Sequence, residues 1–186
     1  MRCFLTRIGE FRFKRLLDNH SSDFLAELDV RAKSGVLDFG YGSDTYMIPV
    51  AKLVGEAGKV HALDISRGAL NKVEKKAKEE GLKDIVRIDA SVDEGICLED
   101  GTIDLMLIID VLQEIDDKED LFDEAYKILK PSGVLTIYPR HATEKDAERL
   151  ATTKGFNLKD RAFQRRILTF GKEPKHVGST SSRCDA

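Results

Sequence analysis

Short apolar runs alternate with segments of helical periodicity along most of this chain. Val36–Phe39, Lys59–Leu63, Ile85–Ile88, Asp104–Ile109 and Val134–Tyr138 are apolar or β-branched, as strands buried on both faces of a parallel sheet should be. Between them, Tyr46–Val54 predicts a helix capped by Ser43 or Asp44, with Pro49 early enough that its missing N–H costs little. Arg67–Glu80 puts Leu70, Val73 and Ala77 on one face, and Leu121, Ala125, Ile128 and Leu129 mark another buried helix face. Lys130-Pro131-Ser132-Gly133 reads as the end of that helix and the turn into the next strand. Glu144–Lys154 reads as helical, and Phe156–Asp160 followed by Ala162–Gly171 as two strands close enough for a hairpin. The pattern predicts an α/β, doubly wound domain around a seven-stranded, mostly parallel sheet with an antiparallel C-terminal hairpin strand.

The ends of the chain differ from this middle. Arg2, Arg7, Arg12, Lys14 and Arg15 are interleaved with Phe4, Phe11 and Phe13, which describes either a nucleic-acid surface or an amphipathic helix with its aromatics inward. We read residues 1–34 as a helical lid, 35–172 as the main domain and 173–186, rich in Gly, Ser and Thr, as a flexible tail. The 186 residues carry 30 Lys plus Arg against 33 Asp plus Glu, and a net charge of −3 supplies no general drive toward nucleic acid. No run approaches the roughly 18 apolar residues of a membrane span, and no signal peptide is evident. Cys3, Cys97 and Cys184 are odd in number and far apart, which argues against a disulfide framework and against a metal site. A reduced, cytoplasmic location is the expectation.

The chemistry concentrates in Gly35-Val-Leu-Asp-Phe-Gly-Tyr-Gly-Ser-Asp44 and, about twenty residues on, Val60-His-Ala-Leu-Asp64. Gly40 and Gly42 let the backbone turn sharply and approach a ligand, and Asp64 at the end of a second strand suits a ribose diol. A dinucleotide fingerprint needs a small residue where this chain has Thr45, so that the helix N-terminus can receive a pyrophosphate. Asp38, inside the strand, would repel a pyrophosphate but attract an ammonium group. An amino-acid-bearing nucleoside fits better than NAD.

These residues resemble the class I S-adenosylmethionine-dependent methyltransferases, from about Gly35 to Lys172. Val36-Leu-Asp-Phe-Gly-Tyr-Gly42 is similar to that family's first motif, Ala62-Leu-Asp-Ile65 to its second-strand acidic motif and Ile88-Asp-Ala90 to its third. Asp104–Asp110 with Val111-Leu-Gln-Glu-Ile115 resembles the fourth-strand motif, and Leu129-Lys-Pro-Ser-Gly-Val134 the turn before strand five. Within the family, the small-molecule group that includes the quinone-biosynthesis methyltransferases is the nearest likeness.

The resemblance implies a Rossmann-like fold, S-adenosylmethionine as cofactor and a role for each matching position. Gly40 and Gly42 would pass beneath the methionine moiety, Asp38 would hold its amino group and Asp64 the ribose hydroxyls. Ile65 would cover adenine, Asp89 would accept from the adenine amino group, and the Ala90 amide would donate to a ring nitrogen. Asp110 would border both the methionine end and the acceptor pocket. Tyr138 and His141, after strand five, are candidates for substrate contact, and Asp110 and His141 are the candidate catalytic groups. Asp44 stands where the family usually has a third glycine, and Gln113 where many small-molecule members have histidine.

Methyl transfer from a sulfonium by in-line displacement needs positioning and desolvation more than an acid or base, in keeping with a chain that shows no evident triad. The position reading Asp110-Val-Leu-Gln113 lacks the motifs of DNA methyltransferases. The readings left open are a small-molecule methyltransferase, one acting on RNA or protein, and a non-catalytic cofactor-binding module. With little sequence before the first strand, a small cap, a homodimer partner or a macromolecular substrate must cover the acceptor.

Overall fold

Seven strands lie in one sheet in the order Val86–Asp89, Lys59–Leu63, Gly35–Phe39, Ile103–Ile109, Leu129–Tyr138, Ile167–Lys172, Phe156–Ala162. That order places the first strand of the chain in the sheet's interior and reverses the winding direction beside it, opening a crevice at the carboxyl ends of Gly35–Phe39 and Ile103–Ile109. The computed structural model describes residues 12–28, 30–40, 45–89, 95–139 and 144–173, with the Asp89 side chain outside that set. In chain order the elements are α1 (12–19), α2 (Ser21–Glu27), β1 (Gly35–Phe39), α3 (Met47–Val54), β2 (Lys59–Leu63), α4 (Arg67–Glu79), β3 (Val86–Asp89) and β4 (Ile103–Ile109). After a 3-10 turn, Leu112–Glu114, come α5 (Lys118–Ile128), β5 (Leu129–Tyr138), α6 (Glu144–Thr153), β6 (Phe156–Ala162) and β7 (Ile167–Lys172).

The first five strands pair in parallel, and β7 lies antiparallel to both β5 and β6. The hydrophobic pattern thus gives the architecture it predicts. Side chains alternate across the sheet, so Val36 packs with α1–α4 on one face while Leu37 and Phe39 pack with α5 and α6 on the other. Asp38 falls on the first of these faces.

Three boundaries differ from the sequence reading, each for a local reason. Helix α3 starts at Met47, so Pro49 sits in its first turn, where no N–H is needed. The Lys130–Gly133 segment belongs to β5: Leu129 already pairs with Ile103 and Val134 with Leu105, so the ladder spans an irregularity there. The hairpin turn is at 163–166, not beside Arg161, and Phe163, Gln164 and Arg165 take φ of 38°, 57° and 62°. A run of non-glycine residues in this region carries no turn signal in sequence. Contacts from elsewhere hold it: the Glu27 carboxylate accepts from the Phe163 N–H at 2.7 Å, and the Phe163 ring lies 6.0 Å from Phe13 and 6.1 Å from Phe24.

Helices α1 and α2 are therefore built into the domain. Phe13, Leu17, Phe24 and Leu25 are buried while Arg12 and Arg15 are exposed, the aromatics-inward arrangement. Leu17→Ala should cost about 2–5 kcal/mol, read as a lowered midpoint in urea unfolding with an unchanged slope; a surface helix would lose far less. Phe4, Phe11, Arg2 and Arg7 lie outside the described residues, as does the chain beyond Glu173.

Candidate active site

A cleft of about 750 Å³ opens at the carboxyl ends of β1, β2 and β4. Its floor is the turn after β1. Gly40 has φ 68° and donates its N–H to the Leu63 carbonyl at 2.8 Å, tying the ends of β1 and β2 together. A Cβ there would stand 2.5 Å from Val111 Cγ2, so both backbone and packing require glycine.

Asp64 ends β2 and is 6 % exposed, with Oδ1 accepting the Ser66 N–H at 2.7 Å. Ser66 in turn caps α4 by accepting from the Ala69 N–H at 3.3 Å. The local turn thus fixes Asp64 against the cleft wall, and the helix cap itself is Ser66. Next to it Ile65 is 77 % exposed, a large apolar side chain presented to the cleft. Across from it, Glu124 accepts from the Ile96 N–H at 3.0 Å and holds residues 95 and 96 as the far wall.

Asp110 follows β4 with φ 63°, a conformation that aspartate tolerates better than most residues. Its N–H donates to the Tyr138 carbonyl at 3.2 Å, and its own carbonyl accepts from Gln113 Nε2 at 2.7 Å. Gln113 Oε1 is buried with no partner among the described residues.

Asp38 is the unusual group. It is 1 % exposed, and neither carboxylate oxygen has a hydrogen-bond partner among the described residues. Burial pushes its carboxyl up to about 7; Lys14 opposes that and the Asp64 charge adds to it. A buried carboxylate left without donors is costly, which marks a place where a cationic ligand group would be stabilising.

Tyr46 stands at the entry to α3. Its hydroxyl donates to Asp18 Oδ1 at 2.8 Å, and burial together with Asp18 pushes its own titration well above the usual tyrosine range. Lys14 pairs with the same Asp18 oxygen and lies 5.3 Å from the Tyr46 ring centre.

The structure thus brings Gly40, Asp64, Ile65 and Asp110 to one cleft, with Asp38 buried one residue pair behind Gly40. Tyr138 is 2 % exposed, 5.1 Å from Phe13 and under Arg166, so its ring lies in the core below α1. Gly42, Ser43, Asp44, Ala90 and His141 lie outside the described residues, and of Asp89 only the backbone is described. Sequence reasoning missed Val111, Glu124 and the Lys14–Asp18–Tyr46 group; only the i,i+4 spacing of Lys14 and Asp18 hinted at the last.

These features fit S-adenosylmethionine: a partnerless buried carboxylate for an ammonium, a glycine floor, a fixed carboxylate at the second strand and an apolar side chain beside it. The described residues lining the cleft include Asp64, Asp110, Glu114, Asp116, Asp117, Asp120 and Glu124 and no basic side chain, a poor setting for a pyrophosphate. A larger groove of about 1050 Å³ between α5 and α6 is walled by groups already paired with one another, such as Lys154 with Asp123 at 2.7 Å.

The chain belongs to the methyltransferase domain family, which matches residues 37–137. A demethylmenaquinone methyltransferase of Anoxybacillus flavithermus is 29 % identical over 111 residues, covering 60 % of this chain and 46 % of that protein. A ubiquinone/menaquinone biosynthesis C-methyltransferase of Klebsiella pneumoniae is 31 % identical over 108 residues, 58 % of this chain and 43 % of the relative. The chain thus spans about half the length of the curated relatives it matches. Among solved structures, a SAM-dependent methyltransferase from Aquifex aeolicus superposes with a TM-score of 0.73 at 22 % identity, covering 88 % of this chain and 97 % of that one. Geranyl diphosphate C-methyltransferase from Streptomyces coelicolor, solved with S-adenosyl-L-homocysteine, gives 0.70 at 14 % identity over 85 % and 81 %. Both share the fold.

Proposed function

We propose that the protein is an S-adenosylmethionine-dependent methyltransferase acting on a small-molecule acceptor. The observation that carries this reading is the buried, partnerless Asp38 behind the Gly40 floor. Membership of the methyltransferase domain family supports it. When bound, the cofactor supplies a methyl group already activated on a sulfonium for in-line displacement.

The chain's own residues have positioning tasks. Asp38 receives the ammonium of the methionine end, Gly40 and Gly42 let the backbone pass beneath it, and Asp64 accepts the ribose hydroxyls. Ile65 covers one face of the adenine, while Asp89 and the Ala90 amide address its edge. Asp110 borders the methionine end where the acceptor enters, and His141 is the group we place on the acceptor side. Cover for the acceptor comes from the N-terminal segment or from a homodimer partner. No described helix is long and apolar enough to cross a membrane, and we place the enzyme in the cytoplasm.

Parallel calorimetric titrations with S-adenosylmethionine, S-adenosylhomocysteine and NAD test the reading. Micromolar binding of the first two and none of the third is expected; binding of NAD alone, or of nothing, sinks it. Asp64→Ala should weaken S-adenosylmethionine binding by about 1–3 kcal/mol with the thermal midpoint little changed. Unchanged affinity would remove Asp64 from the site.

A further inference from the structure

We infer that Gln113 is a positioning residue of the cofactor site: its side-chain amide holds the turn after β4 in the shape that presents Asp110 and Val111 to the cleft. The inference rests on the proposed function and adds to it a side chain that acts through its neighbours.

The turn is built against local preference. Asp110 has φ 63°, a region that few non-glycine residues occupy and that surrounding contacts must enforce. On one side its N–H donates to the Tyr138 carbonyl at 3.2 Å, which ties the end of β4 to the end of β5. On the other, Gln113 Nε2 donates to the Asp110 carbonyl at 2.7 Å and lies 3.5 Å from Asp110 Oδ1. One amide thus reaches both the backbone and the carboxylate of the same residue. The Glu114 N–H then closes the 3-10 turn on the Val111 carbonyl at 2.8 Å.

The left-handed step at Asp110 leads the chain over the turn after β1. Val111 comes to rest against Gly40, where an added Cβ would meet Val111 Cγ2 at 2.5 Å. The two turns are therefore interlocked, and Gly40, Asp110 and Val111 all line the cleft. A shift of the Asp110 carbonyl moves both the carboxylate and the packing on the glycine floor.

The far end of the amide separates this role from packing. Gln113 Oε1 is buried with no hydrogen-bond partner among the described residues, whereas Nε2 is engaged. Turning the amide over would bring two carbonyl oxygens to 2.7 Å, so Asp110 fixes its orientation. A buried oxygen without a donor is a cost that an apolar side chain of the same length would not carry. Methionine would fill the space, leave no such oxygen and lose the bonds to Asp110. For folding that exchange is close to even; for the geometry of Asp110 it is a loss.

That difference supplies the test. Wild type, Gln113→Met and Gln113→Glu are compared by calorimetric titration with S-adenosylmethionine and S-adenosylhomocysteine, by urea unfolding, and by amide hydrogen exchange without ligand. Gln113→Met should weaken both ligands about three- to tenfold, the contribution of one hydrogen bond, with an unfolding midpoint at or above that of wild type. Exchange should quicken at residues 110–114 and stay at the wild-type rate in β1, β2 and β5. Gln113→Glu keeps the shape but turns a carboxylate oxygen toward the Asp110 carbonyl, so its loss of affinity should exceed that of Gln113→Met. Wild-type affinity in both variants overturns the inference, as does a loss of affinity that follows a lowered midpoint, which would mean that Gln113 only fills space. Wild-type protein that binds neither ligand overturns the proposed function. The exchange measurement then decides the hold of Gln113 on Asp110 by itself, and unchanged exchange at 110–114 overturns it.

Discussion

Asp38→Asn should stabilise the ligand-free protein at pH 8 and at the same time impair cofactor binding. The wild-type carboxyl is raised from 3.8 to about 7, so between those values the folded chain holds a proton that the unfolded chain has released. Stability from this group is therefore complete below about pH 4 and falls as pH rises through about 7. Asparagine carries no charge to bury at any pH. The stability difference between variant and wild type should be near zero at pH 4 and grow to about 3–4 kcal/mol by pH 8. Urea unfolding at the two pH values measures it; equal midpoints at pH 8 would mean that the Asp38 charge is stabilised by groups other than those identified around it. Binding should move the other way. Loss of the counter-charge should weaken S-adenosylmethionine by about 1.5–3 kcal/mol and flatten the rise in affinity that the wild type should show from pH 6 to 8. A buried carboxylate that costs the ligand-free fold stability fits a role in receiving a cationic ligand group.

Gly40→Ala should be severe by a different route. At φ 68° any side chain costs about 1–2 kcal/mol, and the new Cβ, 2.5 Å from Val111 Cγ2, adds about 1–3 kcal/mol of overpacking. The combined loss of about 2–5 kcal/mol should appear in the unfolding midpoint, with S-adenosylmethionine binding abolished because the turn must shift away from the cleft. Adding Val111→Ala should recover only the part of the packing loss due to the Val111 methyls, because Val111 Cβ would still lie 2.9 Å from the new Cβ, and none of the backbone part. Full recovery in the double variant would show that the left-handed conformation of Gly40 carries no cost.

Much of this was legible from the order of residues because local and global preferences agree there. The doubly buried strands announce themselves as unbroken apolar runs, and Asp38, Gly40 and Asp64 lie close together in sequence at the ends of two such runs. What sequence hid is whatever depends on distant segments meeting. Val111 is an ordinary valine until its methyls are seen to fill the space beside Gly40. Glu124 is one of many helix carboxylates until the Ile96 N–H reaches it. Phe163, Gln164 and Arg165 look like strand, because nothing in their own chemistry asks for positive φ; Glu27 and the rings of Phe13 and Phe24 impose it.

The contact between Glu27 and Phe163 joins residues 136 apart in the chain. During synthesis α1 and α2 emerge long before their aromatic partners Tyr138 and Phe163. Closing so long a loop is slow relative to forming local helices. Helices α1 and α2 must therefore wait, their apolar side uncovered, until the β6–β7 hairpin arrives, so nascent chains stopped short of β6 are the ones most exposed to aggregation.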